Sequence, residues 1–300
     1  MVRHNIKLSE ISSLMNVEYD GIDCVIENLN LCNRPSSYNS ILGYVTSTKF
    51  FDAVVRNKAL RALVISQELK DELVNFIDGK KELSYIISDN PEHLFYDIHN
   101  ALYHTYEFYD FNDYAPIIGA NCNIHPSAVI ENGVKIGNNV TIGPNSVIRR
   151  NTIIEDNVNI GCCSVIGSEG FQAILGYHKP IKHVGGTYIC RNVWIGDNTT
   201  VGNALFEGNT VVGAFSKLDN HVHFAHNNKC GEGCVITASS LLMGSTALDN
   251  YVWLAPNAVI LNGVHIYDNG FVGTLSFANK DVNPKEVVAG IPARVIKTNK

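Results

Sequence analysis

From residue 118 onward, hydrophobic and polar positions repeat in sixes. Aliphatic side chains stand at Ile118, Ile124, Ile130, Ile136, Ile142, Ile148, Ile154, Ile160 and Ile166, in unbroken register. Four positions after most of these anchors comes a small or β-branched residue: Cys122, Ala128, Val134, Val140, Ser146, Thr152, Val158 and Ser164. An inward aliphatic every six residues, with a small inward residue near each corner, predicts short strands joined by tight turns around a triangular prism. Three hexapeptides close one coil, so residues 18 apart stack with the roughly 4.8 Å spacing of paired strands. Gly, Asn and Asp crowd the expected corners because they tolerate positive φ.

The register breaks over 167–187, where GSEGFQAILGYHKPIKHVGGT carries no anchor. It resumes at Ile189, Ile195 and Val201, slips once, and runs on from Val212 through Phe224, Cys230, Leu242 and Ile260 to Val272. About seven coils are expected from this count. The interrupting loop is rich enough in apolar residues to pack over something. Residues 1–113 show no repeat and mixed signals: CVIENLNL and ALVIS read as strands, TKFFDAVVRN and QELKDELVNFI as helices. The clearest helix is DNPEHLFYDIHNALYHTYEF, with an Asp/Asn cap and Pro91 just inside its start. The chain is therefore expected to be mostly β: a small α/β domain over 1–113, a prism over 114–283 with the inserted loop 167–187, and a tail over 284–300.

Composition narrows the partners. Lys and Arg number 23 against 29 Asp and Glu, a net charge of -6, which offers no basic footprint for nucleic acid or an anionic membrane surface. No apolar run approaches the roughly 20 residues that span a bilayer, and the N-terminus lacks a secretory apolar core. A cytoplasmic location is expected. The eight cysteines are scattered without a C-x-x-C pair, so reduced packing residues are expected, with Cys230 and Cys234 as the lesser alternative of a metal site.

Three histidines fall close together in HVHFAHNN, residues 221–228. Counted from the anchor Phe224, His226 is at plus two, outside both inward rows; His221 and His223, at plus three and plus five of the preceding repeat, read as solvated or turn residues. The coil is also irregular, with Asn228 in a small inward slot and Cys230 in an anchor slot, and local rule-breaking in a regular scaffold is where function tends to sit. One coil on, 18 residues later, comes Gly244. A base beside a backbone donor is what acyl transfer to an amine or hydroxyl requires. His226 is thus the candidate general base and the Gly244 amide the candidate oxyanion donor, with no metal.

The hexapeptide pattern resembles the left-handed parallel β-helix of the bacterial acyltransferases. DNHVHFAHN at 219–227, IHPSAVI at 124–130, VIGSEGF at 165–171 and NPEHLFYDI resemble the UDP-3-O-acylglucosamine N-acyltransferases of lipid A synthesis. That resemblance implies the left hand and a uridine- or thymidine-type nucleotide-binding first domain, with Tyr44 and Phe50 flanking a base. It implies a homotrimer with sites between subunits, in which Glu169, Phe171, Asn220 and Asn227 contact the acceptor. It also implies an acyl donor lying along a groove past Gly244 and Asn262, with Arg294 and Lys297 toward its phosphates. The chain departs from the lipid A enzymes at TTVGNAL (199–205), at IKHVGG (181–186) and in its short ending VVAGIPARVIKTNK. Those departures point to acyl-CoA as cosubstrate and a UDP- or dTDP-linked amino-deoxy sugar as acceptor, for O-antigen, capsule or glycoprotein glycan. The alternatives are the lipid A reaction itself, with acyl carrier protein, and a zinc-bearing γ-class carbonic anhydrase-like protein, whose histidine spacing His221 and His226 share. A non-catalytic binding module is the remaining class. No bound cofactor is expected, and Asn220, Glu207 and Asp219 stand unranked as groups that orient His226.

Overall fold

The computed structural model describes residues 5–105, 108–109 and 111–298. The chain divides into two compact units, Met1–Asp110 with Gln172–Lys182, and Phe111–Phe171 with His183–Lys300. Among the described residues no helix is long and apolar enough to cross a membrane.

The first unit is built on a five-stranded sheet in the order Tyr19–Asp20, Ser84–Ile87, Leu60–Ile65, Ile41–Tyr44, Asn28–Leu29. All neighbours are parallel except Tyr19–Asp20, which runs antiparallel to Ser84–Ile87. Four helices accompany it: α1 (Leu8–Met15), α2 (Phe51–Arg56), α3 (Gln67–Ile77) and α4 (Pro91–Thr105). The expected helix over 89–108 reaches residues 106 and 107, which lie outside the described residues, and Phe108 and Tyr109 beyond them are not helical.

The middle of the inserted loop belongs to this unit and packs on α4. Tyr177 Oη donates to Asp97 Oδ1 at 3.0 Å and Lys179 Nζ pairs with the same oxygen at 2.6 Å. His99, fully buried, faces the Lys182 carbonyl through Nε2 at 2.7 Å and the Tyr109 hydroxyl through Nδ1 at 2.5 Å. A carbonyl only accepts, so Nε2 carries the proton and Nδ1 accepts from Tyr109. Burial depresses the His99 pKa to about 4 from an ordinary 6.5. Between those values the unfolded chain binds a proton that the native state refuses, so stability falls as pH drops from 6.5 to 4, by on the order of 3 kcal/mol. Urea unfolding at pH 7 and pH 5 should show this loss in the wild type and a smaller one in His99→Gln, whose amide still donates to Lys182; parallel losses would rule the histidine out as its source.

The second unit is a left-handed parallel β-helix. Its three faces hold sheets of 8, 8 and 10 strands, most of them two residues long. Pairing is in the expected 18-residue register, as in Phe224 against Leu242 and Val212 against Cys230. Eight coils are present rather than seven. The last strand, Phe277–Ala278, puts Ala278 in the anchor slot, a residue too small to read as an anchor. The tail expected over 284–300 instead forms a hairpin, Glu286–Gly290 with Ala293–Thr298, that continues the ten-stranded face. Its alternation is weak because the outer strand is exposed nearly throughout.

The anchors from Ile136 onward are buried to within a few per cent and form one continuous core. The position three after an anchor takes a left-handed φ near +60°, mostly at Asn, as in Asn139, Asn157 and Asn257. Cys230 and Cys234 occupy an anchor slot and a small slot of one coil, both buried in this core. The hydrogen bond to Cys234 together with burial holds the Cys230 thiol well above its usual range, as befits a packing residue. All eight cysteines are free.

Candidate active site

His226 lies at the corner between the two eight-stranded faces, in the turn that joins His223–Phe224 to Lys229–Cys230. Although outside the inward rows, it is only 7% exposed. The cover comes from two departures from the sixfold pattern. The loop 167–187 returns His183, itself buried, whose ring meets the imidazole of His226 edge to face with centroids 5.2 Å apart. The phase slip after Val201 brings in Leu205, whose N–H donates to Asn227 Oδ1 at 3.1 Å.

That last bond decides the tautomer. Asn227 Oδ1 also lies 3.1 Å from His226 Nδ1. The Leu205 N–H identifies that amide atom as oxygen, an acceptor, so Nδ1 of His226 donates to it and Nε2 keeps its lone pair. Asn227 is well suited to this because it is the corner residue with φ +59°, and its own N–H is held by Thr210 Oγ1 at 2.8 Å.

The Nε2 edge of the ring faces the next coil. A Cβ placed on Gly244 would sit 2.5 Å from both Cε1 and Nε2 of His226. Gly244 is not in a left-handed conformation, so the glycine is required for space. Position plus two, where Gly244 stands, contributes no N–H to the coil-to-coil backbone ladder: Pro126, Pro144 and Pro256 occupy it elsewhere. At other corners a side chain of the next coil takes that N–H, as Asn220 Oδ1 takes the Asp197 N–H at 2.7 Å. Among the described residues no acceptor takes the Gly244 N–H.

Two amides brace this turn. Asn228, buried in the small slot, accepts the Thr246 N–H at 2.7 Å and donates to the Leu242 carbonyl at 3.3 Å. Asn262, one coil further along the same corner, donates to the Gly244 carbonyl at 2.6 Å. His226, Gly244, Asn227 and Asn262 therefore converge.

Several other candidates lie away from this corner. Asn220 stands at a different corner, its amide committed to stacking coils. Arg294 and Lys297 are exposed on the terminal hairpin, which extends the face opposite the His226 corner. Phe171 is 89% exposed and Glu169 is exposed, but they flank Gly170, which packs against the His183 ring that covers His226. In the first unit Tyr44 ends a parallel strand, packs on Phe95 at 4.8 Å and donates to Glu92 Oε1 at 2.8 Å; burial is the main cause that raises its pKa. Phe50 is half-buried with Lys49 Nζ 4.9 Å over its ring, and among the described residues it makes no ring contact with Tyr44. His221 is an exposed corner residue at φ +61°, so its spacing from His226 reflects the turn. Among the described residues no group of three His, Cys, Asp or Glu side chains is placed to hold a metal.

Comparison with known proteins agrees with the scaffold. The family described as bacterial transferase hexapeptide (six repeats) matches residues 115–150 and 133–168. The UDP-3-O-acylglucosamine N-acyltransferase of Methylorubrum extorquens is 35% identical over 135 residues, 44% of this chain and 38% of that protein, so the match spans well under half of that relative. The UDP-3-O-acylglucosamine N-acyltransferase of Campylobacter lari is 32% identical over 312 residues, covering 97% of this chain and 94% of the relative. The chain belongs to the hexapeptide-repeat acyltransferases that include the UDP-3-O-acylglucosamine N-acyltransferases. Family membership extends through the first unit as well as the prism, since the Campylobacter lari match is nearly full length. A solved structure, UDP-N-acetylglucosamine acyltransferase from Campylobacter jejuni, aligns with a TM-score of 0.56 at 20% identity, over 61% of this chain and 70% of that one; it shares the fold.

The loop residues His183 and Leu205 escaped the sequence reading. Both lie in segments without the sixfold register, where no counting rule says which coil they meet.

Proposed function

We propose that this chain transfers an acyl group from a thioester to the amine of a nucleotide-linked amino sugar, with His226 as general base and the Gly244 N–H as oxyanion donor. The observation that carries the reading is the imidazole held by Asn227 with its Nε2 lone pair turned to Gly244. In the reaction, the amine nitrogen attacks the thioester carbonyl and passes its proton to Nε2. The tetrahedral oxyanion takes the Gly244 N–H, which the fold leaves unspent. Collapse forms the amide and expels the thiolate, which recovers the proton from the imidazolium.

The names of the relatives support a UDP-linked 3-O-acylglucosamine as acceptor ahead of the amino-deoxy sugar expected from the chain's departures. The donor is an acyl thioester of coenzyme A or acyl carrier protein. The reading includes a homotrimer of prisms side by side; exposed apolar side chains on the flat faces, among them Val129, Trp194 and Trp253, support it.

The test mixes purified protein with UDP-3-O-acylglucosamine and either acyl-CoA or acyl carrier protein thioester, and reads free thiol and product mass. Thiol release with one new amide is expected, and none with UDP-N-acetylglucosamine, whose amine is already blocked. A nucleotide-linked amino-deoxyhexose serves as the second acceptor. No thiol release with any amino-sugar nucleotide, or acylation at a hydroxyl, would overturn the proposal.

A further inference from the structure

The proton transfer proposed at Nε2 makes no use of His183, yet the place of that residue is as closely determined as that of His226. It is only 6% exposed. Its ring meets the His226 imidazole at 66°, and it also lies against the backbone of Gly170. A Cβ built on Gly170 would overlap Nε2 of His183 and stand 2.6 Å from its Cδ2. Gly170 is not in a left-handed conformation, so here, as at Gly244, glycine is present for the room it leaves. Two imidazoles are thus packed on each other, each with a bare stretch of backbone against it.

The segment that carries His183 is tied to the one that orients the base. Asn203 Nδ2 donates to the His183 carbonyl at 3.1 Å. The Val184 N–H donates to the Leu205 carbonyl at 3.0 Å, and the Gly185 N–H to the Ala204 carbonyl at 2.9 Å. Leu205 therefore works in two directions: its carbonyl holds the strand beside His183, and its N–H holds Asn227 Oδ1, the partner of His226 Nδ1. From His226 through Asn227, Leu205 and Val184 to His183, the contacts return to the His226 ring. All of these residues belong to the second unit.

We propose that His183 is a positioning residue for the base: its ring sets the plane of the His226 imidazole, so that Nε2 stays aimed beside Gly244. The physical need is plain. The outer torsion of a histidine side chain is broad, and one hydrogen bond at Nδ1 fixes an atom of the ring while leaving the ring to tip about it. A second contact on the ring removes that freedom, as a reacting geometry requires. The inference deepens the acyl-transfer reading and rests on it.

The test follows kcat, KM and thermal unfolding of His183→Ala, Gly170→Ala and the double variant, with UDP-3-O-acylglucosamine and the acyl thioester as substrates. His183→Ala should lower kcat about thirtyfold and leave KM within about threefold, because a misaligned base costs rate before binding. Gly170→Ala should lower kcat about tenfold alone, since its methyl group drives the His183 ring onto His226, and by less than about twofold when His183 is already Ala. A contribution to stability alone would move the unfolding midpoint and spare kcat. NMR of the imidazole nitrogens adds a readout that needs no substrate. The neutral His226 ring, assigned by its absence from His226→Ala, should carry its proton on Nδ1 in the wild type and share it between both nitrogens in His183→Ala. A kcat for His183→Ala within about threefold of wild type while His226→Ala is crippled would overturn this inference alone. An unchanged tautomer, or losses at Gly170 and His183 that simply add, would do the same. An active His226→Ala would instead remove the base, and this inference with it.

Discussion

Replacing His226 with Ala should lower turnover by about a thousandfold, in the middle of the range that general bases contribute, while the thermal unfolding midpoint moves little. The imidazole sits at a corner outside the prism core, so its removal leaves the anchor rows of Phe224 and Leu242 intact. What is lost is the acceptor for the amine proton. With Nδ1 bonded to Asn227, Nε2 is the ring nitrogen that takes that proton in the proposed reaction, and neither Gly244, which brings no side chain, nor Asn262, a neutral amide, can replace it. The measurement is kcat with acceptor and donor saturating, beside circular dichroism melting of both proteins. Turnover within tenfold of wild type would remove His226 from the mechanism.

Gly244→Ala should cost at least a hundredfold in kcat with a smaller change in KM. The new methyl group would lie 2.5 Å from Cε1 and Nε2 of His226, closer than any real contact. The backbone there suits an L residue, so it has no reason to move. The ring must yield, and it is pinned by Asn227 on one edge and by the His183 ring on another. Displacing it breaks the alignment of base and N–H, which reaction geometry tolerates poorly. Overpacking of this kind also costs about 1–3 kcal/mol of stability, which denaturant unfolding reads separately from rate. An unchanged kcat would mean that the imidazole does not work from the position it occupies. The two substitutions remove parts of one arrangement, so the double variant should be little slower than His226→Ala alone.

Much of the site could be counted off the chain. The sixfold period places His226 at a corner and Gly244 directly above it, because parallel coils repeat every 18 residues and each strand pair conserves that offset. The same count marks Asn228 as an intruder in a small slot, and its two amide bonds now account for it. Counting fails where the period does. Asn220 is close to His226 in sequence, but six residues carry the chain to another face, and its amide serves a different corner. Arg294 and Lys297 fall on a hairpin that the apolar pattern of the tail does not announce.

By itself, then, the sequence determined the coil, the corner and the pairing of base with backbone donor, since all three follow from a local repeat that backbone hydrogen bonding turns into a fixed spacing. Only the tertiary structure decided which way the imidazole faces and what shields it. Those depend on Leu205 from the phase slip and His183 from the long loop, segments whose positions are set by packing across the fold.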